Sequence, residues 1–309
     1  MKKVGFWFYQ NENGDKVLEK IKSALEKQCI EVITDFDMRN CYVYNGDIYT
    51  EDGRCISDLD MLYHMNADEQ SNFQEDILKV LSYSKVKVIN DYSSFSIAKD
   101  KMLTNFLLRN NGLRVPNALF FSSRSDFEKV EPLLKEWSTF LVKPRRNHCG
   151  NGIVKFSDTE TLNDFIKCTE SFFSDYYIEE FIKFEKHDYR IEIFNGEVVG
   201  GYSRGHKHSY KTNIGSGGEM MPIPMKEEHK KIALKASKII GVTTTIVDIV
   251  EDSKNQKPYI LEVNPIMGIF IENAMKSGSR MPIQSNFPEI FKSDDKKIAC
   301  IVDYIKKNI

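Results

Sequence analysis

Asn195-Gly196 stands between two strand-like runs, Tyr189–Phe194 and Glu197–Tyr202. Both central positions of a two-residue hairpin turn need positive φ, which this pair adopts at little cost. The last third of the chain is thereby committed to antiparallel pairing. The N-terminus reads differently. Val4–Tyr9 is an apolar run of strand length, Val17, Leu18, Ile21, Ala24 and Leu25 share a helical face, and Cys29–Thr34 is a second strand candidate. Strand, helix and strand in that order predict a βαβ opening. One chain must hold both a parallel and an antiparallel unit. Over 309 residues that predicts an α/β protein of about two to three domains.

Between these ends the signals are mixed. Residues 35–58 are rich in Asn, Asp, Gly and Tyr and have no clear assignment, and Val86–Asn90 reads as a short strand closing the first region. Ser96 is a candidate cap for a helix with Leu103, Phe106 and Leu107 inward, ending at Gly112 with Pro116 beyond. Thr139–Lys143 and Ile153–Phe156 read as strands around the polar glycine loop Asn147–Gly152; Thr161–Lys167 reads as a helix and Tyr176–Ile182 as a strand. A helix with Ile232, Ala236, Ile239 and Ile240 on one face stops at Gly241, and strands Thr245–Val250 and Tyr259–Asn264 follow. A final helix is expected around Lys296–Lys306.

Charge removes some functions from consideration. Lys+Arg number 43 against 45 Asp+Glu, a net charge of -2; a partner to nucleic acid usually carries a clear basic excess. The start of the chain lacks a signal-peptide core, and no apolar run reaches membrane-spanning length. The 6 cysteines are scattered with no CxxC pair, which suits reduced thiols. A soluble cytoplasmic protein is expected, with no nucleic-acid or membrane partner; homo-oligomerisation is left open.

Chemistry concentrates in three places. Asp248 interrupts an apolar strand, and Glu262 and Asn264 lie two apart on the next, so the latter two project from one face. If the strands pair, two carboxylates and an amide oxygen form the hard donor set that Mg²⁺ takes beside phosphates; a solvated sheet face is the alternative. Lys143 ends an apolar strand just before the glycine loop, an arrangement suited to phosphate. Neither a P-loop nor a dinucleotide fingerprint is present. Finally, Tyr210–Gly218 combines Lys211 with glycines that can offer backbone N–H groups to an anion. His206 and His208 would share a strand face, but without a visible third ligand we read them as solvated or substrate-facing. Cys149 is read as an incidental small residue, and Phe6, Trp7, Phe8 and Tyr9 as core.

These features occur in an order that resembles the ATP-grasp superfamily, in particular the branch of the ribosomal-protein glutamate ligase, the lysine-biosynthesis ligases and glutathione synthetase. The stretches that carry the resemblance are Ala98-Lys99-Asp100-Lys101, Leu141-Val142-Lys143-Pro144, Ile178-Glu179-Glu180-Phe181-Ile182, Asp188-Tyr189-Arg190, Lys211-Thr212-Asn213 with Gly217-Gly218, Val247-Asp248-Ile249 and Leu261-Glu262-Val263-Asn264. The resemblance implies a three-domain ATP-grasp architecture, α/β at the start and α+β in the grasp domains. A pre-grasp domain would span 1–97, a central subdomain with the phosphate-covering loop 98–176, and a C-terminal subdomain with the metal site 177–309.

The resemblance also implies roles. Lys101 and Lys143 would contact ATP phosphates, the backbone of Glu180, Phe181 and Ile182 would read the adenine edge, and Asp188 would accept from the ribose. Arg190, Arg204, Lys211 and Asn213 would face the transferred phosphoryl group, with Lys211 also binding the nucleotide. Asp248, Glu262 and Asn264 would hold two Mg²⁺ ions (Mn²⁺ as a substitute), Glu262 bridging them. The implied activity is ATP-dependent joining of a carboxylate to the amine of an amino acid or peptide. It would run through an acyl phosphate and release ADP and phosphate. A small-molecule kinase or a non-catalytic nucleotide-binding regulator on the same scaffold is the rival. After Asn264 the chain runs Pro265-Ile266-Met267-Gly268-Ile269-Phe270, where relatives usually have Ser-Pro-Gly; that segment normally neighbours the acceptor.

Overall fold

The computed structural model describes residues 1–8, 12–65, 73–122, 124–147, 150–185, 187–206, 209–213, 217–221, 224–269 and 288–309. The chain opens with β1 (Lys2–Trp7), α1 (Glu12–Glu26) and β2 (Ile30–Ile33). A small hairpin follows, β3 (Tyr42–Tyr44) and β4 (Asp47–Tyr49), in the stretch where the sequence pattern was least legible. Then come β5 (Met61–His64), α2 (Phe73–Leu81) and β6 (Lys87–Ile89). The four long-range strands form a parallel sheet in the order β2-β1-β5-β6. Both faces are covered, as parallel sheets require. Val17, Ile21 and Leu25 of α1 pack on Val4 and Phe6, while Ile77, Leu78 and Leu81 of α2 pack against Trp7 and Leu62.

Two helices come next, where the sequence suggested one. α3 (Tyr92–Lys99) is capped by Asp91, and α4 (Lys101–Asn110) by Asp100. Ser96 lies inside α3 and caps nothing: the Asp100 carboxylate accepts from the N–H groups of Met102 and Leu103 and so starts a new helix. After β7 (Ala118–Phe121) and α5 (Arg124–Leu134) come β8 (Phe140–Lys143), β9 (Val154–Phe156), α6 (Thr159–Thr169) and β10 (Tyr176–Glu180). These strands form an antiparallel sheet in the order β7-β10-β8-β9, with its own core of Phe121, Phe140, Phe156, Leu162, Ile166 and Ile178.

The remainder is a five-stranded antiparallel sheet, β13-β12-β11-β14-β15. Its strands are β11 (His187–Phe194), β12 (Glu197–Gly205), β13 (Glu219–Met221), β14 (Thr244–Glu251) and β15 (Pro258–Asn264), with α7 (Glu227–Ile240) before β14 and α8 (Pro288–Asn308) at the end. The β11–β12 turn is the expected one, with φ of 47° at Asn195 and 77° at Gly196. Gly241 ends α7 at φ 83°, in the left-handed conformation that stops a helix.

One face of this sheet is apolar. Ile191, Ile193, Val247 and Ile249 meet Ala233, Ala236 and Ile240 of α7 and Leu108 of α4. So α4, which follows the first sheet in sequence, packs with the last. α8 crosses in the other direction: Ile301 and Ile305 join the α1 core, together with Phe194, Ile246 and Met267. Periodicity predicts an inward helix face but cannot name the sheet that the face will meet.

Candidate nucleotide and metal site

The opposite face of the five-stranded sheet is polar. Alternation along β11 puts Asp188, Arg190 and Glu192 on the same side. Strand register sets Arg204 opposite Asp188 and Tyr202 opposite Arg190 on β12, and Asp248 opposite Arg190 on β14. β15 completes the row: Asp248 pairs with Glu262 and Ile246 with Asn264. The pairing expected of the two apolar strands is thus present, with a bulge. Register jumps from Glu262 to Ile260, so Leu261 is left without a partner, and both Leu261 and Glu262 line the cleft between the two antiparallel sheets.

The empty space in that cleft, counting the open solvent at its mouth, is about 850 Å³. Lys101, Lys143, Glu180, Phe181, Ile182, Asp188, Arg204, Lys211, Asn213, Asp248 and Glu262 all line it. Of the expected site residues, Arg190 and Asn264 stand outside the lining, one position along the sheet face. His148, Cys149, Lys207, His208, residues 214–216 and Phe270 lie outside the described residues, and with them one member of the histidine pair and the middle of each glycine loop. His206 is half-buried.

Charges meet here at short range. Lys101 Nζ is 2.9 Å from Glu262 Oε1 and also donates to the carbonyl of Asn147 at the start of the glycine loop. Lys211 Nζ donates to the carbonyl of Gly150 at 3.1 Å, so both lysines reach the loop backbone. Burial pushes the Glu262 carboxyl up, but Lys101, with Lys143 and Arg190, overcomes this and holds it below the usual range. Asp248 goes the other way. Burial raises it despite Arg190 and Arg204, and its Oδ1 is buried with no hydrogen-bond partner among the described residues. Arg190 Nε approaches that oxygen at 3.3 Å without hydrogen-bond geometry.

Two groupings add protein partners to residues that the resemblance turns toward the nucleotide. Both Asp188 oxygens receive Arg204 Nε at 3.0 Å, and Oδ2 also receives Arg204 Nη2 at 2.8 Å and the Thr212 hydroxyl at 2.7 Å. This carboxylate lines the cleft and is at the same time engaged within the protein. Arg204 spends its remaining reach on Asp248 Oδ2 at 2.8 Å, which makes it a bridge between two buried carboxylates. Arg204, which the resemblance sets toward a phosphoryl group, lines the cleft while paired with these two carboxylates. The reason is topological: register brings Asp188, Arg204 and Asp248 together from three strands.

Some lining residues carried no assigned role. Glu179, buried on β10, takes the Lys143 ammonium and the Tyr177 hydroxyl. Alternation gave a signal, because Tyr177 and Glu179 share one face of β10 while Tyr176 and Ile178 lie on the other. Phe184, Tyr210 and Thr212 also reach the cleft. At the hinge, the N–H of Glu180 donates to Asn117 O at 2.8 Å and that of Phe181 to Thr139 O at 2.9 Å.

Beyond Asn264 the chain is pinned by buried polar side chains. Asn90 donates to the carbonyls of Thr244 and Pro265 at 2.7 and 2.6 Å and accepts from the N–H groups of Thr243 and Thr244. Lys297 on α8 donates to Gly268 O, Glu192 and Asp294.

Residues 98–280 match the RimK-like ATP-grasp domain family. The chain is 31% identical over 232 residues to the α-aminoadipate–LysW ligase LysX of Sulfurisphaera tokodaii, covering 73% of this chain and 77% of that one. It is 29% identical over 215 residues to the tetrahydromethanopterin:α-L-glutamate ligase of Methanocaldococcus jannaschii, covering 68% and 72%. In fold it is similar to the D-alanine–D-alanine ligase of Bacillus anthracis complexed with ATP, with a TM-score of 0.64 at 19% identity, covering 99% of each chain. The ATP-grasp ligase PsnB with a minimal precursor gives a TM-score of 0.64 at 16% identity, covering 97% and 99%.

Proposed function

We propose, from the premise that this chain belongs to the RimK-like ATP-grasp family and is an ATP-dependent ligase forming C–N bonds, that it phosphorylates a carboxylate and passes the acyl group to the amine of an amino acid or peptide. The observation that carries this reading is the meeting of Lys101, Lys143 and Lys211 with the Asp248–Glu262 pair in one cleft between two sheets. Phosphoryl transfer depends on positioning and on neutralising the phosphate oxygens, and these groups are suited to both.

Three ammonium groups would bind the phosphates. Lys143, steadied by Glu179, would serve ground and transition states alike. The hinge N–H groups of Glu180 and Phe181 are taken by the protein, so the adenine edge would be met by Ile182 and by the hinge carbonyls. Asp188 would act by holding Arg204 and Thr212 in place. Arg190, Lys211 and Asn213 would face the transferred group.

Mg²⁺ fits the donor set. Asp248 offers a buried oxygen without a hydrogen bond among the described residues, Glu262 stands opposite it, and the Asn264 amide nitrogen donates to Ile246 O at 3.1 Å, so that its oxygen would serve a cation. Asp248, Glu262 and Asn264 would hold Mg²⁺, which supplies charge neutralisation at the phosphates when bound. We take 1–97, 98–176 and 177–309 as working domains, with α4 and α8 shared between cores. Among the described residues no helix is long and apolar enough to cross a membrane. A cytoplasmic setting belongs to the proposal and rests on the free thiols at Cys29, Cys41, Cys55, Cys168 and Cys300.

The two relatives named join an acidic amino acid, aminoadipate or glutamate, to a larger partner. We infer an acidic α-amino acid as the amine. The test supplies ATP, Mg²⁺ and a panel of carboxylates, with hydroxylamine in place of the amine. ADP, phosphate and a hydroxamate should accumulate with the correct acid, and Glu262→Ala should form none. AMP and pyrophosphate as the main products would overturn the mechanism.

A further inference from the structure

Three side chains from three separate segments meet at one end of the cleft, and the proposed chemistry uses none of their contacts. Lys155 is on β9, the strand that returns from the glycine loop. Its ammonium lies 3.9 Å from the centre of the Phe181 ring and 5.3 Å from that of Tyr210. The two rings stand edge to face, 5.8 Å apart, and Phe184 packs on Phe181 at 6.1 Å. Phe181 belongs to the hinge, and Tyr210 immediately precedes Lys211. Phe181, Phe184 and Tyr210 line the cleft. Lys155 pairs in register with Leu141, another lining residue, so its side chain leaves the sheet on the cleft side.

An exposed lysine is ordinarily a solvated cation with free rotamers. This one is held against two aromatic faces, where the ring quadrupole attracts it. We propose that Lys155 is a positioning residue for the nucleotide base: it clasps Phe181 and Tyr210 together, and so joins the glycine-loop strand, the hinge and the Lys211 loop into one wall at the base end of the cleft. The inference rests on the nucleotide-binding reading above. Lys155 acts through the rings and touches no phosphate. Its loss therefore weakens every ligand that carries the base by a common factor and leaves a base-free polyphosphate unaffected.

The experiment measures the affinity of the full chain, with Mg²⁺, for ATP and ADP, and for inorganic tripolyphosphate as a competitor. Lys155→Met keeps length and apolar stem but removes the charge. It should weaken ATP and ADP equally, by about two- to fivefold, the size of an exposed cation–π contact, and leave tripolyphosphate unchanged. Lys155→Arg should restore binding, because a guanidinium stacks on the same rings. Tyr210→Leu should show the same pattern, and Lys155→Met should add little to it, since both remove one contact.

A loss that includes tripolyphosphate, or is larger for ATP than for ADP, would make Lys155 a phosphate cation and overturn the clasp. Unchanged ADP affinity in Lys155→Met would overturn it as well. Failure of the unaltered chain to bind ADP would instead remove the nucleotide reading itself, so the two failures are distinct. Lys155 is exposed, so the variant is expected to fold, and an unchanged melting midpoint serves as the control.

Discussion

Arg204→Met tests whether the buried guanidinium works on the protein or on the nucleotide. Side-chain exposures are 5% for Arg204, 2% for Asp188 and 5% for Asp248, so this cluster is almost dry. The substitution removes three contacts to Asp188 at 2.8 to 3.0 Å and one to Asp248 at 2.8 Å. Among the described residues, Asp188 keeps only the Thr212 hydroxyl, and Asp248 keeps only the poorly aligned Arg190 at 3.3 Å. Removing one partner from a buried ion pair costs about 3–5 kcal/mol, because the remaining charge is left uncompensated. At roughly 2 °C per kcal/mol for a chain of this size, the thermal midpoint should fall by about 6–10 °C. Asp188→Asn leaves Arg204 paired with Asp248 and should cost less, about 1–3 kcal/mol. The double variant should be more stable than the two losses added together, by about 1–3 kcal/mol, since neutralising Asp188 removes one orphaned charge. The assay is thermal unfolding of all four proteins beside ADP affinity. An Arg204→Met midpoint within about 2 °C of the parent, together with a large loss of nucleotide binding, would refute the bridge and return Arg204 to the phosphate.

Two further outcomes can be checked. Lys143→Ala should weaken ATP binding by about ten- to a hundredfold, the value of a charge-assisted hydrogen bond, whereas Arg190→Ala should lower kcat by about a hundredfold with a much smaller change in ATP affinity; calorimetry with steady-state kinetics decides, and the reverse order would mean the roles are exchanged. His229 is buried and its Nε2 lies 2.9 Å from Glu251; burial, aided by Lys226, lowers its pKa below 6.5 although Glu251 opposes this. The depressed group contributes stability that is present above pH 6.5 and lost as pH falls through its folded value. His229→Gln should therefore flatten the fall in melting midpoint between pH 7 and about pH 5; an equally steep fall in the variant would count against this histidine as the source.

Features that depend on neighbours along the chain are legible in the residues alone. Positive φ at Asn195-Gly196 sets a hairpin, Gly241 stops a helix, and the two-residue period puts Glu262 and Asn264 on one face. The order of the motifs was enough to point to an ATP-grasp ligase. The pattern predicts one helix where two form, because Ser96 and Asp100 are both competent caps and only the backbone path shows which is used. What tertiary structure alone decided is partnership across distance. Lys143 finds Glu179, Asn90 meets Pro265, and Arg204 settles between Asp188 and Asp248, contacts that no periodicity encodes. The bulge at Leu261 is of the same kind, since it exists only in the register between two strands. A residue type can announce charge or hydrogen-bonding capacity. Whether that capacity is spent inside the protein or left for a ligand depends on which strands lie side by side, and packing of the whole chain decides that.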